Sequence, residues 1–125
     1  MKYDYRLIRN NYFPIIEVIL KCNENKIRTD ALVDSGASIS LFKGEIARAL
    51  GIEVASGEKK IFQGVSAKLV GYIHIVNLKI AGEEFKAKIA FSDDLSTSFN
   101  LIGRLDIFTK FDITFKDKDK QLIIE

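Results

Sequence analysis

The sequence has one cysteine, one histidine, one proline and no tryptophan among 125 residues. A single cysteine, Cys22, excludes an internal disulfide and fits a reducing compartment, so a cytoplasmic location is expected. One histidine and one cysteine cannot build a structural zinc site of the usual kind. No spaced Asp/Glu loop of the calcium-binding type is present either; no metal and no cofactor are expected. The apolar runs are short, such as Ile15–Ile16 and Val18–Leu20, far from the roughly 18 residues of a membrane span. The start, MKYDYRLIRNNY, has no apolar stretch and no small-residue cleavage site, so it does not read as a secretory signal. Charge of one sign is also lacking. The 19 basic and 17 acidic residues are interspersed and leave a net charge of +2, which gives no reason to expect a nucleic-acid partner. Asp93 and Asp94 lie in a Ser/Thr-rich stretch and read as a solvated loop.

What is present is an ordinary soluble mixture, 47% apolar and 29% charged, in a length that suits one domain over residues 1–125 with a real core. Period-2 alternation dominates. Pro14–Cys22 and Lys26–Val33 read as strands about an Asn23-Glu24-Asn25 turn. Val65–Ile80 and Phe85–Phe91 pair about Ala81-Gly82-Glu83. Phe111–Phe115 and Gln121–Ile124 form a last hairpin around Asp117–Lys120. Two segments break the alternation. Lys43–Leu50 has Ile46, Ala47 and Leu50 at helical spacing, with Gly51 as a stop. Leu105–Lys110 reads as a second short helix. Tyr3, Tyr5 and Tyr12 precede the first clear strand, and residues 1–12 read as an N-terminal extension or a dimer element.

The stretch Ala31–Phe42, ALVDSGASISLF, places one acid after a strand-like run. Asp-Ser-Gly alone is a common turn string, because Asp and Ser bond nearby backbone amides and Gly takes positive φ. Here the flanks are apolar, which argues for a turn inside the fold. A carboxylate there needs donors or a charge partner.

Ala31–Ser40 resembles the apolar-apolar-Asp-Ser/Thr-Gly-Ala signature of retropepsin-like aspartic proteases. Asn100-Leu101-Ile102-Gly103-Arg104 resembles the Gly-Arg strand that precedes that family's C-terminal helix. Ile61–Ser66 falls where the family has its glycine-containing flap. The order and spacing agree over roughly Ile15 to Glu125. The resemblance implies a mostly β, closed, antiparallel barrel-like acid protease fold with one or two short helices, one lobe per chain. It resembles cellular or prokaryotic relatives more than viral ones, which carry an Asp where this chain has Ser38.

Aspartic peptidases need two carboxylates sharing one proton, and this chain has one such motif. The resemblance therefore implies a homodimer with one Asp34 from each chain across a two-fold axis, acting on a peptide or protein substrate. Asp34 would be catalytic. Ser35 would bond across the dyad, Gly36 would let backbone approach the carboxylates, and Ala37 would leave room for substrate. Gln63, Gly64, Val65 and Ser66 would form the flap. Gly103 and Arg104 would support the Asp34 loop, Arg104 through a buried contact to Asp106 or to a backbone carbonyl. The alternative is a retropepsin-fold module without turnover, serving dimerisation or peptide binding. A Cys22–His74 peptidase lacks any local signature, and an edge or surface role suits His74 better. Phe108, Phe111 and Phe115 read as core.

Overall fold

Alternating apolar residues become strands in the computed structural model, which describes residues 1–63 and 68–125. In chain order they are β1 Lys2–Asp4, β2 Arg6–Ile8, β3 Asn11–Phe13, β4 Ile15–Cys22, β5 Asn25–Val33, β6 Ser40–Lys43, β7 Glu58–Gln63, β8 Lys68–Ile80, β9 Glu83–Ser92, β10 Asn100–Ile102, β11 Ile113–Lys116 and β12 Gln121–Ile124. One helix, α1, spans Gly44–Ala49, and a single 3-10 turn covers Val54–Ser56.

The main sheet runs β4-β5-β10-β6-β9-β8-β7, and β4 also pairs with β8. Six strands thus close into a barrel, with β7 added outside it. Closure removes the exposed edges that an open sheet would carry. The expected closed β-lobe is present, mostly antiparallel, with parallel junctions where β5 meets β10 and β6 meets β9. The β8–β9 hairpin turns at Ala81 and Gly82, both at positive φ (52° and 82°). That is the two-residue turn whose twist matches the flanking strands. Arg9 and Asn10 turn β2 into β3 in the same way (49° and 66°). Residues 1–12 therefore contribute strands, and β1 pairs with β12 in a second sheet ordered β1-β12-β11.

The barrel is filled from alternate positions. Ile16, Val18 and Leu20 of β4 meet Val76, Leu78 and Ile80 of β8 and Ala87, Ile89 and Phe91 of β9, each 2% exposed or less. Burying each large aliphatic side chain is worth about 1.5–3 kcal/mol. Ala47 and Leu50 bring α1 onto the same cluster, and Leu122 and Ile124 bring β12. Phe111 is buried, with Phe108 and Phe115 packed at the margin.

One buried polar side chain ties three strands together. Asn100 (6% exposed) accepts from the Lys43 N–H at 3.0 Å and donates to the Asp30 carbonyl at 3.0 Å. Asn100→Ala strands both groups. It should cost about 2–4 kcal/mol, read as a lower urea midpoint with an unchanged slope.

One expectation is corrected here. Leu105–Lys110 is a run of turns, not a helix. Asp106 sits at φ 65°, which interrupts the ladder, although Arg104 O still accepts from the Phe108 N–H (3.0 Å) and Ile107 O from the Phe111 N–H (3.0 Å). Asp93 and Asp94 are exposed but not idle. Arg48 donates to both oxygens of Asp93 (2.7 and 3.2 Å), which holds that carboxyl below its ordinary range. The contribution is present above the ordinary carboxylate range and fades as pH falls through the lowered value. It is small because both side chains face solvent. Asp94 accepts from the Val70 N–H at 3.0 Å, while the Ser92 hydroxyl donates to Val70 O at 2.5 Å. The two together pin β8 midway along the β7–β8 pair, where Val70 lies opposite Ile61.

Candidate active site

Asp34 is the first residue beyond β5. Its position is set by the parallel β5–β10 pairing, Val33 opposite Ile102, and by its own N–H donating to Ile102 O at 2.9 Å. The chain then folds back on the side chain. The Gly36 N–H donates to Asp34 Oδ1 at 2.9 Å, and the Ala37 N–H donates to Asp34 O at 3.2 Å. A backbone donor on the carboxylate fixes its orientation.

The loop is at the surface of the chain rather than inside it, which corrects the expectation from its apolar flanks. Asp34 is half-buried, and Ser35, Gly36 and Ser38 are exposed. The apolar residues after it, Ile39 and Leu41, turn inward with Ala90 to form a small core of their own. What the sequence could not reveal is that the loop rides on this core while its tip stays open.

Gly103 holds the loop from behind. Its N–H donates to the buried Ser40 hydroxyl at 3.0 Å. The next two amides, Arg104 and Leu105, donate to Ala37 O and Ser38 O at 2.9 and 3.0 Å. A Cβ on Gly103 would lie 2.4 Å from the Ile39 carbonyl carbon and 2.5 Å from its oxygen, so only glycine fits that approach. Ser40 was not singled out from the sequence. Its signal, a serine within an otherwise apolar run, is weak without the partner strand.

Arg104 departs from expectation in burial. It is exposed, with its guanidinium 4.9 Å from the centre of the Phe108 ring and Nη1 reaching the Ser35 carbonyl at 3.4 Å. The carbonyl is the partner, and the other candidate, Asp106, is spent on the Lys88 N–H at 2.9 Å. With no buried pair to break, Arg104→Ala should cost the single chain about 1 kcal/mol or less, the range of an exposed cation–π contact. Thermal or urea unfolding checks this.

A cleft of about 340 Å³ opens beside the loop. Gly36, Ala37, Ser38, Ile39, Leu41 and Leu101 form one side, and Ile61, Phe62 and Gln63 form the other. β7 and β8 pair up to Gln63 opposite Lys68, so the strands flanking the expected flap are present. Gly64, Val65 and Ser66 lie outside the described residues. Phe62 lies close over Gly71, where a Cβ would come within 2.9 Å of its ring. A larger hollow, about 600 Å³, lies on residues that include Arg6, Glu17, Arg28 and Asp30. Four of its charged residues pair with one another, Arg6 with Asp30 at 2.6 Å and Arg28 with Glu17 at 3.6 Å. It does not touch the Asp34 loop.

Cys22 and His74 are not brought together as a nucleophile and base. The His74 Nε2 is 2.8 Å from Val54 O, and the ring is half-buried near Phe91. The His74 backbone pairs with Ile89 of β9 and lies one residue past the β7 register, which ends at Ile73 opposite Glu58. Among the described residues no three His, Cys, Asp or Glu side chains gather as a metal site, and no helix is long and apolar enough to cross a membrane.

A family model described as "Aspartyl protease" matches residues 11–116. No curated protein matches. Among solved structures, a retropepsin-like aspartic protease from Rickettsia conorii superposes with a TM-score of 0.72 at 20% identity, over 99% of this chain and 89% of that one. The EIAV protease, solved with the inhibitor HBY-793, superposes with a TM-score of 0.61 at 21% identity, over 82% of this chain and 91% of that one. At such identities the likeness establishes a shared fold.

Proposed function

The chain belongs to the aspartyl protease family, and from that premise we propose that it is a homodimeric endopeptidase whose active site forms from Asp34 of two copies. The observation that carries this reading is a lone carboxylate, oriented by its own loop and half-buried beside a peptide-sized cleft whose lining, among the described residues, holds no acid of its own. A single carboxylate cannot serve as both acid and base in one step. A two-fold axis beside the exposed loop supplies the second.

Like charges a few ångströms apart cannot both ionise, so the pair holds one proton. The ionised Asp34 takes a proton from a water held between the two, and that water attacks the scissile carbonyl carbon. The protonated Asp34 donates to the carbonyl oxygen as charge develops there. Collapse of the tetrahedral adduct breaks the C–N bond, and the amine leaves with a proton from the dyad. Exposed Ser35 lies on the loop that faces the partner, where its hydroxyl can bond across the axis. Gly36 and Ala37 leave the loop narrow enough for extended substrate to pass. The apolar side chains Ile39, Leu41, Ile61, Phe62 and Leu101 receive apolar substrate side chains.

The test is cleavage of a broad peptide library at falling enzyme concentration. Activity per chain should drop once the chain is diluted below its dimer dissociation constant, as mass action requires. Constant activity per chain down to a demonstrably monomeric solution would remove the shared site. A folded dimer that cleaves no peptide would favour the binding-module reading.

A further inference from the structure

Along the chain the basic residues are interspersed with acids, and the sheet register sorts them. β5, β4, β8 and β9 are neighbours in one wall of the barrel. Leu20, Val76, Leu78 and Ala87 are buried, so the residues that alternate with them point out of the barrel. Across the wall the register sets Lys26, Lys21, Asn77 and Lys86 in one outward row, and Arg28, Ile19, Lys79 and Glu84 in the next. Lys88 stands opposite Ile75 on the other side of the first row. Lys26, Lys79, Lys86 and Lys88 are exposed, and none has an ion-pair partner among the described residues. The acids on the wall are engaged. Glu84 accepts from Lys21 Nζ at 2.7 Å, Glu17 pairs with Arg28 at 3.6 Å, and Asp30 pairs with Arg6 at 2.6 Å. Glu24 and Glu83 lie at the hairpin ends. The bond from Lys21, with the nearby charges of Lys79 and Lys26, holds the Glu84 carboxyl below its ordinary value. Lys21 also sits directly opposite Lys26. Like charges so placed weaken a sheet, and folds break such local rules chiefly at functional surfaces. Beside these lysines Ile75 is 62% exposed. It borders a hollow of about 190 Å³ where β4 and β8 part beyond Lys21 and Asn77.

We propose that this wall is a docking face for an anionic lipid bilayer, with the lysine ammoniums against headgroup phosphates and Ile75 entering the interface. The side chains select this partner among polyanions. Lysine is a point charge that suits a diffuse layer of headgroups, whereas nucleic acid is read by planar, bidentate arginine. The one arginine in the two rows is paired with Glu17. No outward position of the two rows is aromatic, so bases find no stacking platform. An acidic peptide strand would need a sheet edge, and β4 and β8 are bonded to neighbours on both sides here. A convex wall with cations around one exposed isoleucine fits a planar surface that offers negative charge outside and hydrocarbon beneath. The basic rows are also remote from the candidate active site. Lys26 lies at the start of β5 and Asp34 just past its end, about 26 Å away at about 3.3 Å per residue. A chain held by this face keeps its cleft open.

The test is co-sedimentation with vesicles, read without any peptide substrate and so independent of cleavage. The chain should bind mixed phosphatidylcholine–phosphatidylserine vesicles and leave pure phosphatidylcholine vesicles in solution. Binding should fall as salt shortens the screening length from about 10 Å at about 0.1 M to about 3 Å at about 1 M. Lys26→Glu together with Lys86→Glu should weaken binding about twenty-fivefold or more, from about fivefold per lysine lost. The fold should survive, because Lys26→Glu replaces a like-charge pair with Lys21 by an opposite one and Lys86 faces Asn77. Lys2→Glu together with Lys118→Glu changes the net charge equally at exposed positions off the wall, and should leave binding almost unchanged. Ile75→Ala should weaken binding about fourfold or more, the worth of one buried methylene. Equal losses in the two double variants would show that net charge alone drives the contact, and would overturn the face. Binding unchanged in Ile75→Ala would overturn its entry into the interface. If the wild-type chain ignores anionic vesicles at low salt, the lipid proposal falls, and binding to polyglutamate or to a single-stranded oligonucleotide in their place would assign the wall to another polyanion.

Discussion

Asp34→Asn is expected to abolish peptide cleavage while leaving the fold intact, and to poison wild-type chains when added in excess. An amide at this position still accepts from the Gly36 N–H, which donates to Asp34 Oδ1 at 2.9 Å, so the loop geometry survives. What is lost is the charge that takes a proton from water. The effect on activity should be total for the pure variant, since two amides supply neither a base nor an acid. The mixed dimer is the sharper case. It keeps one carboxyl, but one group cannot both accept the water's proton and already hold one for the carbonyl oxygen. With random exchange and a tenfold excess of variant, about one wild-type chain in eleven has a wild-type partner, so activity should fall to about a tenth at fixed wild-type concentration. Activity unaffected by the variant, after exchange has been verified by mass, would show that each chain carries its own complete site.

The main hairpins were legible because period-2 alternation is a direct record of which face is buried, while closure of the barrel was implied by the resemblance. Ile16, Val18 and Leu20, or Ala87, Ile89 and Phe91, need no tertiary knowledge to be read as one face. The strands that were missed are short or lack contrast. β2 and β3 are three residues each, and their turn is made by Arg9 and Asn10, residues that do not advertise positive φ as glycine does. The helix expected at Leu105–Lys110 failed for a similar reason. Ile107 and Phe111 are buried, but Asp106 takes a left-handed φ and its carboxylate caps the Lys88 amide. One residue's long-range bond outweighed a local pattern.

The candidate site was legible as a motif and not as an environment. Asp34, Gly36 and Gly103 were found by the resemblance of their neighbours. The exposure of the loop and of Arg104 was not readable, because burial depends on what the rest of the chain leaves uncovered. Apolar flanks suggested an interior turn. The flanks do go inside, at Ile39 and Leu41, and the tip does not. For a site completed by a second copy, an uncovered tip is the expected state of one chain.

Gly103→Ala is expected to damage stability and catalysis together, and Gly82→Ala separates the two. Gly103 stands where β10 ends and meets the backbone of residues 37–39. An added Cβ would sit 2.4 and 2.5 Å from the carbonyl carbon and oxygen of Ile39 and 2.9 Å from the oxygen of Ala37. These are backbone atoms, so no rotamer change relieves the contact. Either β10 or the loop must move. Movement stretches the bonds from the Gly103 amide to Ser40 and from the Arg104 amide to Ala37 O. Overpacking of about 1–3 kcal/mol and about 1 kcal/mol for a weakened hydrogen bond give a loss of about 2–4 kcal/mol. The same displacement carries Asp34, whose amide is bonded to Ile102 O one residue before the glycine. A misplacement of about 1 Å costs roughly a hundredfold in kcat when reacting groups must align. Gly82 has the opposite character. It sits in the β8–β9 turn at φ +82°, and a Cβ there would meet nothing within 4 Å. Gly82→Ala should lose about 1 kcal/mol through backbone strain alone, with kcat and KM unchanged. Comparing the two variants under conditions where both remain folded distinguishes a positioning role from general destabilisation. Equal kcat in the two would mean that Gly103 serves the barrel and not the carboxylate beside it.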